Sequence, residues 1–264
     1  MKLDEIYSVI DNEAPFELSK EYCEKFSAYD NSGLLIDGGD SSITSVLFSL
    51  DFSVKAVQEA VKQGFNLIVT HHPAIYGGLN NLLTRDDPTA QAIARSLRGK
   101  ISVISAHLNL DVAPEGIDYH LMKGLGGDEC EIMDELSFEG SGYGRAYGIE
   151  RKKLAKVIED AKKTFSTKRI IAYGDENKDV KRIASFSGAG CNERSVKFAV
   201  ENGVDLFVSS DLKHDLVAEL LEHNICVLQL THYAAENYGF KKFAAKIKKR
   251  IGIPSVAMTD KDLI

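Results

Sequence analysis

Apolar residues recur at helical spacing through Val54-Lys55-Ala56-Val57-Gln58-Glu59-Ala60-Val61-Lys62-Gln63 and stop at Gly64, a residue suited to a helix C-cap. A short apolar run, Leu67 to Val69, follows and breaks at Thr70-His71-His72-Pro73. The second half repeats this grammar. A helical pattern from Asn192 to Glu201 ends at Gly203, and Leu206-Phe207-Val208 then runs into Ser209-Ser210-Asp211. Further strands are predicted at 45–50, 101–105, 183–187 and 225–230, and a helix at 153–165. Strands alternating with helices predict an α/β protein whose sheet is parallel or mixed, with helices on its faces. The segment from Gly140 to Gly148 is the glycine-densest of the chain and reads as the joint between halves 1–140 and 149–264 of one duplicated unit, 1–264.

With 264 residues, 44% hydrophobic and 27% charged, the chain can bury a substantial core and has an ordinary globular composition. Its apolar runs fall far short of the roughly 20 residues a membrane span needs, and the polar Met1-Lys2-Leu3-Asp4-Glu5 lacks a secretory core. Four dispersed cysteines form no CxxC pair, which suits reduced thiols in the cytoplasm. A net charge of −7 gives no general attraction to nucleic acid. The one basic run, Lys241 to Arg250, carries Phe243 and Ile247 at i,i+4 and reads as an amphipathic helix with a solvated basic face.

The chemistry gathers where apolar runs end. His71 and His72 follow Leu67–Val69, His107 follows 101–105, and His232 follows 225–230. Loops beyond the carboxyl ends of parallel strands converge in space, so these side chains are expected to share a site. Pro73 turns the chain away after His72, which lets both imidazoles reach one place. In His107-Leu108-Asn109-Leu110-Asp111 the polar and apolar residues alternate, and an extended chain would put His107, Asn109 and Asp111 on one side. Asp111 is the better ligand candidate, since a carboxylate can bridge two cations; His107 is either a ligand or a neighbour of the ligands. His232 and Glu236 are four apart, on one face if a helix starts there. Asp211 is a further candidate to support a ligand or touch substrate, whereas His120 and His223 read as structural or solvent-facing. Gly188-Ala189-Gly190 fits a phosphate-approaching loop or a turn into a helix capped by Asn192. Three or four imidazoles with two carboxylates suit Zn, Fe, Mn or Co, and exceed what one structural zinc uses, which points to two metals.

The stretches Asp30-Asn31-Ser32-Gly33-Leu34-Leu35, Thr70-His71-His72-Pro73, His107-Leu108-Asn109-Leu110-Asp111, Phe186-Ser187-Gly188-Ala189-Gly190 and His232-Tyr233-Ala234-Ala235-Glu236 together resemble the GTP cyclohydrolase I type 2 homologues, also called NGG-interacting-factor-three-like proteins. The resemblance covers nearly the whole chain. It implies a duplicated three-layer α/β/α fold with mixed sheets, here in the short form without an inserted middle domain, assembled as a toroidal homo-hexamer. It further implies a dinuclear centre of two divalent ions, zinc first and Fe, Mn or Co as alternatives, held by His71, His72, Asp111, His232 and Glu236, with His107 beside them; His107, the catalytic candidate, or a carboxylate would then move protons. The implied activity is a GTP cyclohydrolase-like hydrolase acting on a nucleotide through metal-activated water; a phosphoesterase or amidohydrolase, or a metal-binding regulatory protein, are the alternatives. Ser209-Ser210-Asp211, His214-Asp215 and Thr231 stand where relatives usually carry Thr-Gly-Asp, a paired His and Gly.

Overall fold

The computed structural model describes residues 1–264 and divides into two units: Met1–Ala113 with Phe240–Thr259, and Pro114–Gly239 with Asp260–Ile264. The first unit contains α1 (Leu3–Glu13), α2 (Phe16–Phe26), β1 (Gly33–Ile36), β2 (Val46–Ser49), α3 (Val54–Gln63), β3 (Leu67–Thr70), α4 (Pro88–Arg98), β4 (Ser102–Ser105) and the short α5 (Leu108–Asp111). The second contains α6 (Ile117–Gly124), β5 (Cys130–Glu135), β6 (Gly142–Lys153), α7 (Leu154–Thr164), β7 (Ile170–Tyr173), β8 (Asp179–Ser185), α8 (Glu193–Glu201), β9 (Leu206–Ser209), α9 (His214–Glu222) and β10 (Cys226–Leu230). Helix α10 (His232–Ile251) starts in the second unit, and from Phe240 onward it belongs to the first, as does β11 (Ser255–Ala257).

The first sheet has the order β1-β4-β3-β2-β11 and the second β5-β6-β8-β9-β10-β7. β11, β2, β3 and β4 are parallel, with β1 antiparallel at the edge; β8, β9 and β10 are parallel, with β7 antiparallel at that edge and β6 antiparallel at the other side. Both sheets are therefore mixed, and each contains an edge strand followed by a β-α-β-α-β run in the same order. Every residue of β2, β3, β4 and β9 is buried, as expected of parallel strands covered on both faces.

Strand alternation separates two cores in the second unit. Leu206, Val208, Ile183 and Leu228 pack with Leu121, Leu154, Val157 and Ala161, whereas Phe207, Ala184 and Val227 pack with Val196, Ala199, Leu216 and Leu220. Helices α6 and α7 thus cover one face and α8 and α9 the other. In the first unit Leu47, Ile68 and Val103 pack with Ala56, Val57 and Ala60 of α3 and Ala92 and Ile93 of α4. Ser53 caps α3 by accepting from Ala56 N at 3.1 Å, and Gly64 closes it at φ 75°, so the helix spans the residues its periodicity predicts. Asn192 caps α8, its Oδ1 accepting from Arg194 N and Ser195 N.

The glycine-rich segment is not a joint. From Gly142 onward it is strand β6, paired with β5 and β8 inside the second sheet, and the division of the chain falls at Ala113/Pro114 with a return at Phe240. At Gly144 a Cβ would lie 2.3 Å from Phe186 Cε1, so this glycine admits a neighbouring ring rather than a turn. The basic run lies in α10, where Phe243, Ala244 and Ile247 are buried while Lys246 and Arg250 pair with Glu13 of α1. No helix is long and apolar enough to cross a membrane, and all four cysteines are free.

Candidate functional site

In the first unit, β3 delivers the histidine pair. The backbone N–H groups of His71 and His72 both donate to Leu50 O, at 3.1 and 2.9 Å, so the chain bends off the sheet. The two rings consequently do not take opposite faces as in a strand; their centroids are 4.9 Å apart. Beneath them, Thr70 Oγ1 and Ser105 Oγ share a buried 2.7 Å hydrogen bond across paired positions of β3 and β4, and Ser105 Oγ accepts from Ala74 N. His71 Nδ1 lies 2.8 Å from Ala106 O. A carbonyl only accepts, so Nδ1 carries the proton and Nε2 the lone pair. His72 Nδ1 lies 2.7 Å from Asp51 Oδ1, just past β2.

His107 is held similarly. Its Nδ1 lies 2.6 Å from Asp30 Oδ1, and its backbone N–H donates to Ser32 Oγ at 3.1 Å. Burial opposes ionisation of Asp30, but hydrogen bonds from His107, Ser19 and Ser32 outweigh it and hold the carboxyl well below the usual carboxylate range. The extended reading of 107–111 does not hold: residues 108–111 form the single helical turn α5, with His107 as its N-cap residue. His107 precedes that turn and Asp111 ends it, each placed near His71, while Asn109 turns inward to donate to Ala14 O at 2.6 Å. Ring nitrogens of His71, His72 and His107 all lie within 4.8 Å of one another, and His71 Nε2 is 3.7 Å from Asp111 Oδ1.

In the second unit, β10 ends at Leu230 and α10 starts at His232, placing His232 and Glu236 on one face of its first turns; Nε2 and Oε1 are 2.9 Å apart. His232 Nδ1 meets Asp211 Oδ2 at 2.5 Å. Asp211 follows β9 with φ 50°, a left-handed conformation that Asp tolerates better than most residues. Gly188 also has positive φ (56°), and a Cβ there would lie 2.5 Å from Glu236 Oε1 and 3.4 Å from His232 Nε2. Its loop is pinned by Ser210 N and Ser209 Oγ, both donating to Gly188 O. Glycine is required here so that backbone can approach the buried Glu236 carboxylate.

These donors suit divalent cations. All four imidazoles have Nδ1 against an oxygen, which leaves the lone pair on Nε2, the arrangement seen in metal-ligating histidines. An imidazole Nε2 facing a carboxylate oxygen, as in His232–Glu236 and His71–Asp111, is satisfied either by a proton on that nitrogen or by a cation that both atoms ligate. Donors under about 4 Å apart can share one ion whose bonds are about 2.0–2.2 Å. The first unit brings His71, His72 and His107 within 4.8 Å of one another with Asp111 3.7 Å from His71, and the second brings His232 to 2.9 Å from Glu236. Sequence patterning missed the supporting Asp30 and Asp51. Asp30 stands in the Asp30-Asn31-Ser32-Gly33 stretch, and Asp51 directly follows an apolar run, as the histidines do.

A model of the Duf34/NIF3 (NGG1p interacting factor 3) family matches residues 1–262. A Campylobacter jejuni protein named GTP cyclohydrolase 1 type 2 homolog is 29% identical over 263 residues, covering 99% of this chain and 98% of its own. A Methanocaldococcus jannaschii protein of the same name is 27% identical, covering 98% and 99%. Among solved structures, reduced HcgD from Methanocaldococcus jannaschii has a TM-score of 0.79 at 25% identity, covering 98% of each chain. A Staphylococcus aureus hypothetical protein reaches 0.85 at 24%, covering 98% and 97%, and shows the fold. With its mixed sheets and the motif positions described, the chain belongs to the Duf34/NIF3 family.

Proposed function

We propose that the chain is a dinuclear metal-dependent hydrolase acting on a nucleotide in the manner of a GTP cyclohydrolase, with His71, His72, Asp111, His232 and Glu236 as one ligand set. The observation that carries this reading is the common orientation of the four imidazoles, each with Nδ1 engaged by oxygen and Nε2 left as donor. The name shared by the Campylobacter and Methanocaldococcus relatives supports the activity class. Two divalent ions, zinc first, with Fe, Mn or Co as alternatives, would supply activation of water and stabilisation of developing negative charge.

The chain's own groups have separable tasks. Asp51 and Ala106 O fix the rings of His72 and His71, Asp211 fixes His232, and Gly188 leaves room for Glu236. His107, backed by the ionised Asp30, is the proton carrier: Asp30 holds the Nδ1 proton and Nε2 accepts and returns one. The geometry of the three-histidine group equally suits His107 as a ligand, and one variant separates the two roles. As a proton carrier, His107→Ala keeps its metal and loses roughly 10²–10⁴-fold in turnover. As a ligand, it loses metal and turnover together.

The test is elemental analysis of protein purified without chelator, followed by a screen of nucleotides, phosphoesters and amides. About two equivalents per chain with GTP turnover is the expected outcome. Turnover of phosphoesters or amides alone would transfer the site to that chemistry, and two equivalents with no turnover would make it a metal-binding regulatory protein. The homo-hexamer remains part of the proposal; light scattering should then give six times the 29.0 kDa chain.

A further inference from the structure

Beside His107 lies an aromatic pair that no ligand role has absorbed. Tyr76 is 62% exposed and Tyr29 55%, although an aromatic side chain ordinarily gains from burial. Neither ring is loose. Tyr76 is perpendicular to Tyr29, with centroids 5.3 Å apart at 89°, and perpendicular to His107, at 6.1 Å and 86°. Its hydroxyl donates to Tyr29 O at 3.1 Å, and Asn31 Nδ2 donates to Ile75 O at 2.6 Å. The segments carrying the two tyrosines are thus tied together around Asp30, the residue that holds His107. Beyond Tyr76 the space is open: a Cβ at Gly77 or Gly78 would meet nothing within 4 Å.

A ring held still, left uncovered and set against a candidate catalytic imidazole is preorganised to receive another flat ring, because ordering it costs nothing further on binding. We propose that Tyr76, braced by Tyr29, is the stacking platform for the planar heteroaromatic part of the substrate, a nucleobase, and does not contact its phosphate. This rests on the nucleotide reading above and sharpens it: recognition at this edge of the site is by the π-face of the base, so it tolerates different bases.

The chain contains no tryptophan, so Tyr76→Trp creates a single fluorescent reporter in the full-length protein. Guanosine and adenosine should each quench it saturably, with or without added metal, and ribose 5-phosphate should not. In equilibrium dialysis against guanosine, Tyr76→Ala should weaken binding roughly 5- to 150-fold, while Tyr76→Phe, which keeps the ring, should stay near wild type. Unchanged guanosine affinity in Tyr76→Ala, or equal quenching by ribose 5-phosphate, would overturn the proposal. So would a signal that follows protein concentration instead of ligand, which would mark a self-association surface. Because dialysis is run on metal-free and metal-loaded protein alike, loss of stacking is distinguishable from failure of the metal-centre reading.

Discussion

The two units use the same strand frame and end it differently. In the first, an antiparallel edge strand precedes the β-α-β-α-β run β2–β4, whose ends carry Asp51, the His71–His72 pair and His107. In the second, β7 precedes the run β8–β10, and the matching ends carry Gly188, Asp211 and His232. One unit is rich in imidazoles, and the other contributes a single imidazole between two carboxylates. The frame thus determines where side chains emerge, while the two or three residues beyond each strand determine the chemistry. The supporting aspartates sharpen the contrast: Asp30 is 1% exposed at its side chain, and Asp211 is 53% exposed. The same His–carboxylate contact is buried at Asp30 and solvated at Asp211, with Asp51 of the first unit between them at 38% exposure.

The largest expected effect follows from that burial. Asp30→Ala leaves Ser19, Ser32 and His107 without their acceptor and should cost about 3–5 kcal/mol, read from the urea midpoint. A cost below 1 kcal/mol would erase the distinction between the units.

A second buried aspartate tests the other unit. Burial pushes Asp118 up from 3.8 to about 6, although Arg145 and the N–H groups of Ser187 and Gly144 work against this. Between these values the folded chain holds the proton that the unfolded chain has released. This contribution is therefore complete below about pH 4 and is lost as pH rises through about 6, by roughly 3 kcal/mol. Denaturation from pH 4.5 to 7 should show the decline, and Asp118→Asn should flatten it. A wild-type profile as flat as that of the variant would contradict the assignment.

Gly188→Ala should cost roughly 1–2 kcal/mol for its left-handed backbone. It should also displace Glu236, so metal titration should show weakened binding even where the fold survives. The smallest effect is expected at Asp211→Ala: about 0–1 kcal/mol in stability, set against a roughly 10–100-fold loss in metal affinity. A stability loss as large as that of Asp30→Ala would show that exposure does not govern these contacts.

Much of this arrangement was legible in the sequence because histidines stand out after apolar runs, and strand ends in α/β folds are where ligands gather. The bounds of α3 follow from its periodicity and from Ser53 and Gly64 at its ends. The segment 107–111 misled because polar–apolar alternation over five residues suits a strand, whereas the backbone makes one helical turn from Leu108 to Asp111. Strand β6 was hidden because Gly142 and Gly144 lie in a glycine-dense segment that reads as a joint between halves, although both make room for close neighbours. Asp51 follows an apolar run as the histidines do and Asp30 opens one of the family stretches, but a lone aspartate in a loop is conspicuous only once its histidine is in place.

The fixed imidazole orientation also has a spectroscopic consequence. With Nδ1 engaged by oxygen in all four rings, His71, His72, His107 and His232 should occupy one tautomer when neutral, with the Nδ1 proton exchanging most slowly at His71 and His107, whose acceptors are buried. The exposed His223 should instead average between tautomers. In nitrogen-detected magnetic resonance, metal would then move the Nε2 signals of the ligating rings and leave their Nδ1 partners nearly where they began. Such a pattern belongs to a protein that receives its ions without rearranging to hold them.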